Sequence, residues 1–146
     1  MAGIGEVALS QLNSLRATSG KAETTGLSDS VIADFATHDP TLVRAIGEAI
    51  DYQKEIIAEF GTEFLLQDEA ALVKSMQSDL INFYPQETIN PYVAIAGRGP
   101  WVITAHGAVL HDNGGYGMLA SGHGPESIIT ALSKNWVMAN VMTASF

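Results

Sequence analysis

Apolar side chains recur at helical spacing over the first ninety residues and at strand spacing after them. Ile4, Val7, Ala8, Leu12 and Leu15 make the stripe of a short amphipathic helix, with Leu9 off it. The polar, glycine-containing "TSGKAETTG" (18–26) reads as a linker. "LSDSVIADFATH" predicts a second short helix, with Ser28 or Asp29 able to cap it. The best-specified element is "HDPTLVRAIGEAIDYQKEIIAEFG". Asp39 is suited to accept from the free N–H groups of a helix start, and Pro40 sits where a missing N–H costs nothing. Leu42, Val43, Ile46, Ala49, Ile50, Ile56, Ile57 and Phe60 follow one broad face, and Gly61 is a natural stop. "DEAALVKSMQSDLINFY" predicts a further helix, capped by Asp68 and ending before Pro85.

The period changes near residue 90. "YVAIAGRGPWVITAHGAVLHDNGGYG" carries β-branched and aromatic residues in short runs broken by glycine. "WVITAHGAVLHD" reads as a hairpin turning at His106-Gly107, which pairs Ala105 with Ala108 and Ile103 with Leu110. "GPESIITALSKNWVMANV" then predicts a helix. Pro125 lies in its first turn, Glu126 sits against its positive end, and Ile128, Ile129, Leu132, Trp136 and Val137 make its buried face. The expected fold class is α+β. A mostly helical region, 1–90, precedes a small antiparallel β-meander, a glycine-rich loop and a helix in 91–146. The first region should be essentially free of strand.

Composition narrows the picture. Of 146 residues 47% are hydrophobic and only 16% charged, which excludes global disorder and suggests surface normally covered by something else. A net charge of −9 repels phosphate backbones and anionic membranes alike, so neither nucleic acid nor membrane is an expected partner. There is no cysteine, hence no disulfide and no thiolate. The first twenty residues lack a basic segment followed by a long apolar one, so the expected location is cytoplasmic.

Candidate chemistry gathers in "HDNGGYGMLASGHGPESI" (111–128), where five glycines fall within the eleven residues from Gly114 to Gly124. The four histidines, His38, His106, His111 and His123, occupy a helix end, a turn, a strand and a loop, without the spacing of a metal site. Ser121 and His123 invite a hydrolase reading, but Ala-Ser-Gly-His-Gly is not a nucleophile elbow, and the spacing supplies no third, orienting carboxylate. A loop serine is the better account. The glycines match neither phosphate-binding fingerprint. Tyr116 lies between Gly115 and Gly117, where small neighbours let a ligand or another backbone approach the ring; ligand wall and core filler both remain open.

Taken together, residues 97–146 resemble the opening segment of class III, fold type I pyridoxal-phosphate-dependent aminotransferases. The shared order is a strand pair, an aspartate, a glycine-rich turn, a Gly-His and a proline at a helix start, here "GRGPWVITAHGAVLHDNGGYGMLASGHGPESIITAL". Asp112 matches the aspartate, Gly122 and His123 the Gly-His, and Pro125 the helix start. The resemblance implies that Gly115, Tyr116 and Gly117 line a substrate pocket, with Ser145 and Phe146 near another part of it. It also implies that the phosphate-binding turn, the aspartate for the pyridine nitrogen and the Schiff-base lysine lie beyond this segment. Lys21, Lys54, Lys74 and Lys134 are the only lysines, and none has a matching context.

The expectation is therefore an N-terminal piece of a larger enzyme, ending without a polar tail after "ANVMTASF". It would contribute pocket wall and dimer-interface surface and be inactive alone. Pyridoxal phosphate would be bound in the full-length parent and not by this piece. Its partners would be the remainder of the chain and a second subunit, with self-association through uncovered surface. The alternatives are a stand-alone helical and β-hairpin interaction module, and a small hydrolase using Ser121 and His123.

Overall fold

The computed structural model describes residues 3–81, 85–114 and 121–134. The fold is α+β. Helices α1 (Ile4–Ala17), α2 (Asp29–His38) and α3 (Pro40–Phe60) are followed by a one-turn α4 (Thr62–Leu65), by α5 (Glu69–Gln77) and by a 3₁₀ turn (Gln86–Thr88). Strands β1 (Ala94–Arg98), β2 (Trp101–Thr104) and β3 (Val109–His111) form an antiparallel meander in that order, and α6 (Glu126–Leu132) comes after it. Among the described residues no helix is long and apolar enough to cross a membrane.

The helices and the sheet share one core. Leu12 and Leu15 of α1, Ile32 of α2, and Leu42 and Ile46 of α3 pack with Trp101, Ile103 and Val109 of the sheet. In α1 the inward face is rotated from the expected stripe: Ala8, Leu12 and Leu15 are buried, but Ile4 and Val7 are exposed and Leu9 packs against the core. Gly5 explains the rotation. A Cβ there would lie 2.5 Å from the carbonyl oxygen of Ala33, so the α1–α2 contact closes on a position that only glycine can fill.

Helix α3 begins on Asp39 as its composition predicts. The carboxylate accepts from the Thr41 N–H at 2.8 Å and, through its other oxygen, from the Trp101 indole N–H at 2.7 Å. Trp101 is buried, and Phe35 meets its ring edge-on with centroids 5.2 Å apart. Gly61, with φ +83°, ends the helix as expected. The far end of the apolar face does not reach the core, since Phe60 is exposed. The short α4 after Gly61 was not foreseen. Helix α5 stops at Gln77, well before Pro85, where Ser78 turns its N–H and its hydroxyl back onto Ser75.

Asp68 holds the cap position of α5, but its carboxylate accepts from the Lys21 N–H at 3.1 Å instead of from its own helix. The adjacent Glu69 is fully buried, and one of its oxygens accepts from the N–H groups of Glu23 and Thr24, each at 2.6 Å. The segment expected to be a linker is thus fastened along α5.

The hairpin turns where it was expected to, with φ +77° at Gly107, but in a different register. Trp101 faces His111, Val102 faces Leu110 and Ile103 faces Val109. The loop is one residue longer than a two-residue turn, and the Thr104 hydroxyl accepts from the Ala108 N–H at 3.0 Å to close it. Burial decides the register. Directly paired residues share a sheet face, and this pairing puts Ile103 and Val109 into the core together, while a one-residue slip would split them.

Asp39→Ala removes a helix cap and orphans a buried indole N–H, and is expected to cost about 2–4 kcal/mol in urea unfolding. Burial pushes the Asp39 carboxyl up, but hydrogen bonds from Trp101 and from the Thr41 backbone and hydroxyl outweigh it and hold the group below its ordinary value. A depressed value means that this contribution is present above the unfolded-state pKa and is lost as pH falls through the folded one. Acidification below about pH 4 should therefore destabilise the parent chain more than Asp39→Asn.

Candidate functional site

The site lies where the β1–β2 turn meets the segment that leads into α6. Glycines flank Arg98 at the end of β1, and its guanidinium forks onto Glu48 of α3, with Nε and Nη2 2.6 and 2.8 Å from the two carboxylate oxygens. Its third nitrogen donates to the Gly124 carbonyl. Glu48 also accepts from Arg44 at 3.1 Å, and Arg44 reaches Glu126 at the start of α6 at 2.6 Å. A relay of alternating charge thus links α3, β1 and α6. The Arg98 hydrogen bonds hold the Glu48 carboxyl below its usual range against the opposing effect of burial. The same bonds raise Arg98, so the pair stays ionised.

Backbone pairing completes the joint. The Gly99 N–H donates to the His123 carbonyl at 2.9 Å, and the His123 N–H returns to Gly99 at 2.7 Å. Gly122, with φ +63°, allows the approach, because a Cβ there would lie 2.7 Å from the Gly99 Cα. Across the same joint His123 Nε2 is 2.8 Å from an Asp112 carboxylate oxygen, whose twin accepts from the Gly114 N–H at 2.7 Å. The Gly114 bond first, and the His123 bond after it, hold the Asp112 carboxyl below its ordinary value. Facing that carboxylate, Nε2 carries the proton and donates.

Of the residues singled out from the sequence, Gly122, His123 and Pro125 come together here. Gly115, Tyr116, Gly117, Ser145 and Phe146 lie outside the described residues. Pro125 caps α6 from the position before its first turn, and its carbonyl accepts from Ile128 and Ile129. The expected buried face of α6 is corrected: Ile128, Ile129 and Leu132 are exposed, because the helix is tied to the body through Glu126 and the preceding loop and not through its apolar side. Trp136 and Val137 lie outside the described residues.

The relay of Arg98, Glu48, Arg44 and Glu126 was not anticipated. The available signal was an arginine between two glycines in a chain with only seven basic residues. The orienting carboxylate that the Ser121–His123 spacing did not provide is supplied across the fold by Asp112. Ser121 lines the same cavity as His123.

A cavity of about 420 Å³ opens beside the joint, lined by Arg44, Arg98, Ser121, His123, Pro125 and Glu126 among others. None of the four lysines lines it, and all four are exposed, Lys54 pairing with Asp51 at 2.9 Å. The arginines are both engaged by glutamates. Among the described residues no cluster of three His, Asp or Glu side chains is placed to hold a metal ion. Compared with protein-family models, curated proteins and solved structures, the chain matches none.

Gly122→Ala must add a Cβ at a positive φ against the Gly99 backbone, and is expected to cost roughly 2 kcal/mol or more. The loss should appear first as faster amide exchange at Gly99 and His123. Asp112→Asn should loosen the same joint, with exchange at Gly114 and His123 rising and the sheet amides unchanged. In the parent chain the Asp112 contribution is present above the unfolded-state pKa and lost as pH falls through its depressed folded value, so the two proteins should converge in acid.

Proposed function

We propose that this chain is the N-terminal segment of a class III pyridoxal-phosphate-dependent aminotransferase, contributing pocket wall and subunit-facing surface to a site completed elsewhere. The observation that carries the reading is the convergence of the family-like residues. Asp112, Gly122, His123 and Pro125 are spread over fourteen positions of sequence, yet they form one hydrogen-bonded joint between the meander and the helix that follows. An order of residue types that resembles a family is better supported when each type has a structural reason for its place. Here the glycine permits backbone contact, the histidine donates to the aspartate, and the proline sets the helix start.

In this reading the joint is a scaffold. It fixes the two ends of the glycine-rich loop, and Gly115, Tyr116 and Gly117 within that loop supply the pocket wall, with Phe146 as a second contribution. The exposed Ile128, Ile129 and Leu132 of α6 supply apolar surface for the remainder of the chain or a second subunit. The residues present do not suit the cofactor itself. An amine-transfer site needs a lysine inside its cavity to hold the aldehyde, and every lysine here is exposed and none lines the cavity at the joint. No step through pyridoxal phosphate is therefore assigned to this chain, and alone it should not transaminate.

The test is the mass of the native polypeptide in its source cells, detected with an antibody raised against this chain. The expected band is several times heavier than 15.5 kDa, and the purified long form should show bound-cofactor absorbance and amino-group transfer. A single band at 15.5 kDa would overturn the proposal and leave the stand-alone interaction module as the reading.

A further inference from the structure

Further along α3, toward its C-terminal end, an apolar groove of about 410 Å³ runs between the second half of that helix, α5 and β1. Its floor is already formed, since Leu65, Leu72 and Ala105 are buried in a second small core beneath it. Among the described residues nothing covers its walls. Tyr52, Phe60 and Met76 are 42%, 58% and 47% exposed, and Phe60 stacks on Phe64 with centroids 5.1 Å apart. Large apolar side chains exposed singly are ordinary, but three around one preformed groove make a contiguous patch.

Charge indicates what would fill it. Glu55 and Glu59 line the groove one helical turn apart, no Lys, Arg or His lines it, and neither glutamate has an ion-pair partner among the described residues. Like charges one turn apart repel each other, and a cationic occupant would relieve that repulsion. Length and shape favour a helix. From Tyr52 to Phe60 the groove follows α3 for about 12 Å, enough for about two turns of a second helix with apolar anchors at i, i+3 or i+4, and i+7. Strand addition is disfavoured because β1 is a five-residue edge whose register is irregular between Ala94 and Ala96.

We propose that this groove docks an amphipathic helix of a partner protein, one whose apolar face is flanked by Lys and Arg. The groove shares no lining residue with the cavity beside the Asp112–His123 joint, and the inference does not depend on the aminotransferase reading.

The experiment is fluorescence anisotropy of the 146-residue chain with a labelled helical peptide of Leu, Lys and Ala whose leucines lie on one face. Binding should be saturable, and Glu55→Gln with Glu59→Gln should weaken it roughly fivefold and flatten its salt dependence. Phe60→Ala should weaken it about tenfold. All three positions are exposed, so the fold should survive, with an unchanged circular dichroism spectrum as the check. Three results would overturn the proposal. One is equal binding of a peptide of the same composition with its leucines scrambled around the helix, which would mean general attraction to an acidic protein. Another is equal binding by the variants. The last is a dimer in sedimentation equilibrium that Phe60→Asp dissociates, which would give the groove to a second copy of this chain.

Discussion

One carboxylate closes two structures at once. Asp39 starts the longest helix by accepting from Thr41, and it fixes the largest buried side chain by accepting from the indole of Trp101. Each bond makes the other possible. The helix start holds the carboxylate at the edge of the core, and the indole gives the second oxygen a partner where water is scarce. The geometry of the sheet against α3 follows from that point, because Trp101 opens β2 and its ring is held between Phe35 and His111. Arg98 faces Trp101 across the β1–β2 ladder and ties the same helix at Glu48, so the strand pair is anchored to α3 at two places.

What the sequence revealed, it revealed through local chemistry. The Asp-Pro start and Gly61 stop of α3, the switch from helical to strand spacing near residue 90 and the glycine at the hairpin turn all act within a few residues of themselves. The misses have long-range causes. Ile4 and Val7 looked inward until Gly5 let α2 close at a different angle. The hairpin slipped by one residue because Ile103 and Val109 had to be buried together. Asp68 left its own helix to hold the Lys21 backbone, a contact across forty-seven positions.

The candidate site follows the same division. Glycine, histidine and proline in "GHGP" were visible as unusual, and their convergence needed the fold. Nothing in the spacing of His123 indicated that its partner would be Asp112, eleven residues earlier, nor that Gly122 would lie against Gly99. The charge relay through Arg98 was legible only as an oddity of composition. Its partner, Glu48, is fifty residues away on a helix whose exposed face reads as ordinary.

The bond from the Arg16 side chain to the Gly107 carbonyl spans ninety-one positions, and Leu27 is paired with Val109. The first helices made are thus completed by one of the last strands described. On the ribosome α1 and α2 emerge long before the hairpin that covers them, with Leu12, Leu15 and Ile32 still lacking their partners Trp101 and Val109. A nascent chain of this kind waits with apolar surface showing, and its exposure to chaperones and to aggregation is set by how quickly translation reaches the hairpin.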